Sequence, residues 1–419
     1  MLQKKVAIWS ENIFGLYSAK PVIEKYVAQG RQVFLIVREQ DRETAAKYIG
    51  ITAVRIKSIE SLDSTPRRLL SRFIMPMISP LSFSPMFGRL KSKRRPSWGY
   101  ILGITIAKFF SPTEINRTYS KVFSRFSGLL PAQFVISFTR VSKPYLLAGK
   151  GLKHIAIMES WDHPVKAPWY VMPNYVLTWN RDLKKDVRCY QNVGKVGYVI
   201  PLKFRYIAEL EKLSEVEMLR RLSLTYFEEL SRVHRREFVL YPTTTSSINA
   251  VDHPGEMELI SDLVAATHEA GLFLYIKPKP NGPIGDYDAF AKMRHVIVGR
   301  YSSDISAIDM LRDEYHVFRY LLLQRARVVI NVGTTFVLEA ALARTPIIQL
   351  DLRGGRFGNF ASLSKNVHLQ KYLLNLPTVP HAGDTQKLGQ AILLKQGQVF
   401  GPLLREWLIN RPHVHATDR

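Results

Sequence analysis

Residues 326–351 read ARVVINVGTTFVLEAALARTPIIQLD. The β-branched run Val328–Val332 breaks at Gly333-Thr334-Thr335, an Ala/Leu-rich segment follows, and Thr345-Pro346 opens a second apolar run to Asp351. This predicts a strand–turn–helix–strand unit of a buried parallel sheet, with small polar residues where the helix begins. The first turn of a helix offers unpaired N–H groups and a partial positive charge, which suit an anion. Glu339 stands four residues beyond Thr335 on the same helical face and leans back towards the turn. A carboxylate there can accept from both hydroxyls of a ribose while the turn holds phosphates. An ordinary crossover with a solvated Glu339 satisfies the same spacing.

A chain of 419 residues exceeds one ordinary core, so two domains are expected, and 46% apolar content fits a globular protein. The single cysteine, Cys189, excludes an internal disulfide and fits a reducing compartment. Lys4 and Lys5 precede an apolar run cut by Ser10-Glu11-Asn12, so no secretory signal is read. No apolar run reaches the length of a spanning helix. A cytoplasmic chain is expected.

Fifty-nine basic against 35 acidic residues give a net charge of +24. Such a balance favours nucleic acid, an anionic membrane or anionic small substrates. Between Thr65 and Ser127, twelve Lys and Arg residues, among them Arg89, Lys91, Lys93, Arg94 and Arg95, face only Glu114. Interleaved are FIMPMISPLSFSPMF (73–87) and WGYILGITIAKFF (98–110), which begins at Trp98. Basic residues beside aromatic and aliphatic ones, too short to span, match a bilayer-surface element on the inner face of the cytoplasmic membrane. A solvated loop packed on its own domain is the plainer alternative. Nucleic acid is not expected, because no RNA-recognition or helix-turn-helix pattern is present.

Along the chain, Lys5–Trp9, a helix over Ser18–Gln29 and Gly30–Val37 form a βαβ opening. Strands are expected again at Phe134–Phe138, Ile155–Met158 and Tyr175–Trp179. Residues 206–234 are dense in Glu, Leu, Lys and Arg without Gly or Pro, and read as one connecting helix. A second alternating series runs through Phe238–Tyr241, a helix over Glu256–Ala270, Leu272–Lys277, His295–Val298 and the opening stretch. The organisation expected is an N-terminal Rossmann-like acceptor domain (1–203), a connecting helix (204–235), a C-terminal Rossmann-like donor domain (236–398) and a terminal helix and tail (399–419).

Four segments carry a family resemblance. Glu159-Ser160-Trp161-Asp162-His163-Pro164 resembles an "SWDN" element that ends a strand of the first domain. Tyr175–Asn180, continuing through Lys184-Lys185-Asp186 to Val196-Gly197, resembles the strand, helix and linker entry that follow. Tyr275-Ile276-Lys277-Pro278-Lys279-Pro280, with Asp286-Tyr287, resembles an "RPHP…Y" element. Asn331–Ala341 resembles an "STxxLEAA" donor-binding turn and helix. The chain thus resembles the GT-B glycosyltransferases of bacterial surface-polysaccharide synthesis, capsule and lipopolysaccharide O-antigen. That resemblance implies an α/β fold of two doubly wound Rossmann-like domains facing a central cleft. It also implies transfer of a sugar from a nucleotide-sugar co-substrate to a glycan or lipid-linked acceptor. Carried over by position, the donor-binding residues are Lys277, Lys279, Gly333, Thr334, Thr335 and Glu339. The family commonly has Arg and His at 277 and 279 and Ser at 333. Lysine keeps the charge but loses a planar fork, and glycine loses a hydroxyl but admits closer backbone approach.

No P-loop, HExxH, CxxC or GxGxxG occurs, and neither a fixed cofactor nor a protein-held metal is expected. His413 and His415 lie in a polar tail. An inverting transfer needs a base near the acceptor hydroxyl. Glu11, directly after the first strand, and Asp162 and His163, after the strand at Ile155–Met158, occupy the expected ligand edge. A helix N-terminal acid at Glu11 and a turn-capping residue at Asp162 are the structural alternatives. On the same fold, a nucleotide-sugar epimerase, which would want a more acidic, Ser/Gly-rich donor turn, and a glycerophosphotransferase stay open. A basic nucleic-acid-binding protein is the alternative outside enzymes.

Overall fold

The apolar runs of the sequence become two parallel sheets. The computed structural model describes residues 5–62, 132–138, 152–159, 173–190, 193–199, 201–233, 237–244, 253–279, 287–299, 308–352, 356–357, 378–381 and 383–393. The basic stretch 65–127, with Arg89, Lys91, Lys93, Arg94, Arg95 and Trp98, lies outside these residues, as do Asp162, His163 and the tail 399–419.

The first compact unit is Met1–Lys203. Its strands are β1 (Lys5–Trp9), β2 (Gln32–Val37), β3 (Val54–Ser58), β4 (Phe134–Ser137), β5 (Lys153–Ile157), β6 (Tyr175–Thr178) and β7 (Lys195–Tyr198). They pair in parallel in the order β3-β2-β1-β4-β5-β6-β7, with Val6 opposite Val33 on one side and Phe134 on the other. Among the described residues its α-helices are α1 (Gly15–Ala28), α2 (Arg42–Ile49) and α3 (Arg181–Tyr190). Helix α1 starts three residues before the expected Ser18. The Asn12 side chain accepts from the Phe14 N–H (3.0 Å) and its carbonyl from the Gly15 N–H (2.8 Å), so the turn after β1 runs straight into the helix. Val6–Trp9 are buried on both faces of the sheet, as befits a central parallel strand.

The second unit is Phe204–Trp407. Strands β8 (Phe238–Pro242), β9 (Phe273–Lys277), β10 (Val296–Val298), β11 (Val328–Asn331), β12 (Ile347–Asp351) and β13 (Thr378–Pro380) pair in parallel as β10-β9-β8-β11-β12-β13. Both sheets therefore wind outward from a reversal, between β1 and β4 in one and between β8 and β11 in the other. At such a reversal the loops leaving the carboxyl ends part to opposite faces, and ligands gather there.

The stretch 206–234 corrects the sequence reading. It is three helices, α4 (Arg205–Leu210), α5 (Glu215–Leu219) and α6 (Leu224–Ser231), rather than one. A capping box restarts the chain at α5: the Ser214 hydroxyl accepts from the Glu217 N–H (3.3 Å), and Glu217 Oε2 from the Ser214 N–H (2.7 Å). These helices belong to the second unit and cover α9 (Asp313–Arg325), where Tyr226 stacks on Phe318 at 5.1 Å. Helix α9 was not expected at all. It is buried almost all round, from Tyr315 to Leu323, and so shows no amphipathic stripe. On the other face, Leu259, Leu263 and Ala266 of α7 (His253–Glu269), Phe290 of the short α8 (Asp288–Ala291) and Leu388 and Ile392 of a last helix (Thr385–Leu393) pack with the strand residues Tyr241, Ile276, Ile330 and Leu350.

Candidate functional site

At the reversal of the second sheet, the ends of β8, β9 and β11 converge. Thr243 knits the first two: its N–H donates to the Lys277 carbonyl (2.9 Å), and its hydroxyl accepts from the Lys279 N–H (2.8 Å). Thr244 donates its N–H to the buried Glu256 (2.5 Å), which also takes the Tyr241 hydroxyl (2.9 Å). The Lys279 ammonium, exposed, reaches the Thr244 carbonyl at 3.4 Å. The Lys277 ammonium, half-buried, lies 5.1 Å from the centre of the Phe336 ring. Phe336 opens the short helix α10 (Phe336–Leu342) that follows the Gly333-Thr334-Thr335 turn.

Buried polar side chains fix that turn. Asn331 accepts from the Thr334 N–H (3.1 Å) and donates to Gln349 on β12 (2.5 Å), while Gln349 holds the Val332 carbonyl (3.0 Å). The Thr334 hydroxyl accepts from the Phe336 N–H (2.9 Å), so it already caps the helix. The N–H groups of Gly333 and Thr335 have no hydrogen-bond partner among the described residues. With α10 only seven residues long, its dipole is modest, and attraction for an anion rests mainly on the two lysines.

Glu339 is neither solvated nor idle. It is buried in the first turn of α10, where Oε2 accepts from the Tyr206 hydroxyl (2.6 Å) and pairs with the Arg319 guanidinium of α9. Burial works against the charge of Arg319. The Glu339 carboxylate, with Tyr206 and Tyr315, more than offsets it and holds the guanidinium firmly protonated. Arg319 also stacks near Tyr206, Tyr315 and Phe336 at 5.4–5.9 Å. The ion pair fixes Glu339 as an acceptor, but one whose replacement strands a largely buried cation.

In the first sheet, Glu11 follows β1 at the reversal. It is buried, and its Oε1 accepts from the Trp9 indole N–H at 2.9 Å. Since α1 begins only at Gly15, with no acid in its first turn, Glu11 is not a helix-terminal acid. The residue that sequence reasoning missed is Glu159, two positions beyond β5. Burial lifts its carboxyl to about 7, opposed by the nearby Ser18 hydroxyl of α1 and by Lys203. Its only sequence signal was its place in the Glu159–Pro164 element, where the acid three residues later drew the assignment instead. Thr243 and Thr244 were also passed over, although TTTSS (243–247) follows the first strand of a Rossmann half.

Among the described residues no group of three or more His, Cys, Asp or Glu could hold a metal, and no helix is long and apolar enough to cross a membrane. One Asp-x-Asp does occur, Asp286-Tyr287-Asp288, which the sequence reading overlooked; Asp286 lies outside the described residues.

No protein-family model matches this chain, and no curated protein matches it in sequence. Solved structures do. The chain is similar to Arabidopsis thaliana UGT89C1 complexed with UDP, at 11% identity and a TM-score of 0.50, covering 97% of this chain and 95% of that one. It is similar to the UDP-GlcNAc 2-epimerase of Methanocaldococcus jannaschii in complex with UDP-GlcNAc and UDP, at 11% identity and 0.51, covering 96% and 98%. A third is the S. aureus MnaA–UDP co-structure, at 8% identity and 0.50, covering 96% and 92%. With both sheets wound as described, the protein has the GT-B fold.

Proposed function

We propose that the protein is a glycosyltransferase that moves a sugar from a nucleotide-activated donor to a growing surface glycan or a lipid-linked acceptor. The observation that carries this reading is the edge of the second sheet. There two lysines, a turn with unengaged N–H groups and a fixed carboxylate converge where ligands gather on such sheets. In this reading the lysines and the Gly333–Thr335 turn take the diphosphate, and Glu339 takes the ribose. UDP is the nucleotide to try first, because the similar structures named above hold UDP or UDP-GlcNAc. Sequence position favours Lys279, which stands where the family has His, but Lys277 is the stronger phosphate candidate here, since its ammonium lies beside the residue that follows the turn, whereas the Lys279 ammonium is turned to the Thr244 carbonyl.

Thermal shift with a panel of nucleotide sugars tests the reading. A bound donor adds about 2.7 kcal/mol of stability at a hundredfold excess over its Kd. Lys277→Ala is expected to weaken UDP about tenfold, the loss of one charge-assisted contact of about 1.4 kcal/mol. A panel without any shift would remove the nucleotide-sugar reading, and tight binding to duplex DNA at moderate salt would favour the nucleic-acid one. Product analysis separates the enzymes: a transferase releases nucleoside diphosphate only with an acceptor hydroxyl, whereas an epimerase returns an inverted nucleotide sugar without one.

The basic, apolar stretch 65–127 supports a membrane-borne acceptor and work at the inner face of the cytoplasmic membrane. The full chain is expected to sediment with phosphatidylglycerol vesicles, to be partly released by salt and fully by detergent. Neutralising Lys91, Lys93, Arg94 and Arg95 together should reduce that binding and leave UDP affinity intact. Absence of vesicle binding at low salt would point to a soluble acceptor.

A further inference from the structure

We infer that His268 and His295 form a two-histidine site for a divalent transition-metal ion at the amino edge of the second sheet. His268 lies in the last turn of α7, and His295 stands directly before β10. The pair therefore occupies the edge opposite Thr243, Lys277 and Lys279, and it does not depend on the nucleotide-sugar reading. Far apart in the sequence, the two rings meet with their centres 4.6 Å apart and their planes inclined by 44°.

His295 is prepared as a ligand. It gives its ring N–H to the Val264 carbonyl of α7, which leaves Nε2 as the lone-pair nitrogen. That Nε2 is shielded from water and has no hydrogen-bond partner among the described residues. Orphaned buried acceptors are uncommon, and an ion is one of the groups that satisfies them. A carbonyl behind the ring is also the usual second partner of a metal-bound histidine, since it fixes the tautomer and the direction of the ring. Burial, and then the neighbouring His268, make His295 reluctant to take a proton, against the pull of the Val264 carbonyl. The ring is thus held towards the neutral form that metals bind. His268 is exposed and supplies the second ring from the carboxyl end of a 17-residue helix, where unpaired carbonyls favour a cation. Two imidazoles that hold one ion through bonds of about 2.0–2.1 Å at close to a right angle have ring centres about 4.5 Å apart, which matches the observed spacing. A right angle suits Cu²⁺ and Ni²⁺ better than tetrahedral Zn²⁺, and a nitrogen pair disfavours Mg²⁺ and Ca²⁺. Water completes the shell, and the ion ties the end of α7 to the start of β10.

The test titrates the full chain, without an affinity tag, with Ni²⁺ and Cu²⁺ by calorimetry and follows thermal melting alongside. Wild type is expected to bind either ion and to melt higher with it, and to show no shift with Mg²⁺ or Ca²⁺. His268→Ala, at an exposed position, is expected to melt like wild type without metal, to lose about 10–100-fold in Ni²⁺ affinity and to lose the metal-induced shift. His295→Gln should do the same, and His268→Cys, which restores a ligand, should regain binding. Because His413 and His415 in the tail are a second possible source of binding, the variant lacking both is measured as well. It is expected to keep the tightest site and the shift in melting. Loss of that site with the tail histidines would overturn the assignment. So would a His268→Ala protein that binds Ni²⁺ like wild type, or a wild-type chain that binds neither ion.

Discussion

Replacing Glu339 by leucine is expected to lower the unfolding free energy by about 3–5 kcal/mol, enough to threaten the second unit outright. The carboxylate is the counter-charge of Arg319, which is itself largely out of water where α9 meets α4 and cannot shed its proton. Removing one partner leaves a cation out of water with nothing to balance it. Replacing both, as Glu339→Leu with Arg319→Met, should recover most of the loss, because an apolar pair needs no compensation. Urea melts of the single and double variants measure this, and equal losses in both would show that the ion pair contributes little. Glu339→Gln also weakens the ion pair, so its effect on donor must be read well below the melting transition, where a ten- to hundredfold loss of UDP affinity, about 1.5–3 kcal/mol, is expected. Unchanged affinity would remove the ribose role and leave Glu339 a structural residue.

Glu159 carries the second large effect, and it runs in the opposite direction. An unfolded glutamate ionises near its ordinary 4.5, whereas the folded carboxyl holds its proton up to about 7. Between those values the folded state binds the extra proton, so stability falls as pH rises through this window and levels off above it. The displacement corresponds to a penalty of about 3 kcal/mol at pH 8, fully present above 7 and absent below about 4.5. Glu159→Gln should therefore be more stable than wild type at pH 8 by up to that amount and indistinguishable from it near pH 4. Denaturant melts at several pH values give the slope directly; parallel curves for the two proteins would show that Glu159 titrates normally. A residue that costs the fold stability and yet occupies a ligand edge is the kind kept for chemistry.

Strands such as Lys5–Trp9 and Val328–Asn331 were plain in the sequence because a strand buried on both faces must be apolar throughout, and turn residues bound it. The same logic hid α9. A helix covered on every side has no polar face, so nothing distinguished Asp313–Arg325 from core of unspecified kind. The stretch 206–234 misled for the converse reason. Without Gly or Pro it satisfied helix propensity throughout, and the Ser214–Glu217 capping box that restarts it was legible but unread. At the site, Lys277, Lys279 and the Gly333–Thr335 turn could be placed by spacing from strand ends. Arg319 could not, because its pairing with Glu339 joins two helices through space. Nor does any pattern of letters carry the desolvation that sets Glu159 apart from Glu11.

The shared winding order of the two sheets also bears on how each is assembled during synthesis. The central strand β1 of the first sheet closes on β4, so Val6 waits for Phe134 before its second neighbour exists, with the whole basic stretch made in between. In the second sheet, β8 waits for β11, Val239 for Val328, with ordinary crossover helices filling the interval. Contacts between distant segments form slowly because the intervening loop must be closed first. The amino-terminal half, although first to leave the ribosome, is thus the half whose apolar strand edges stay open longest. Its bare β1 is the place where chaperone capture or aggregation would begin.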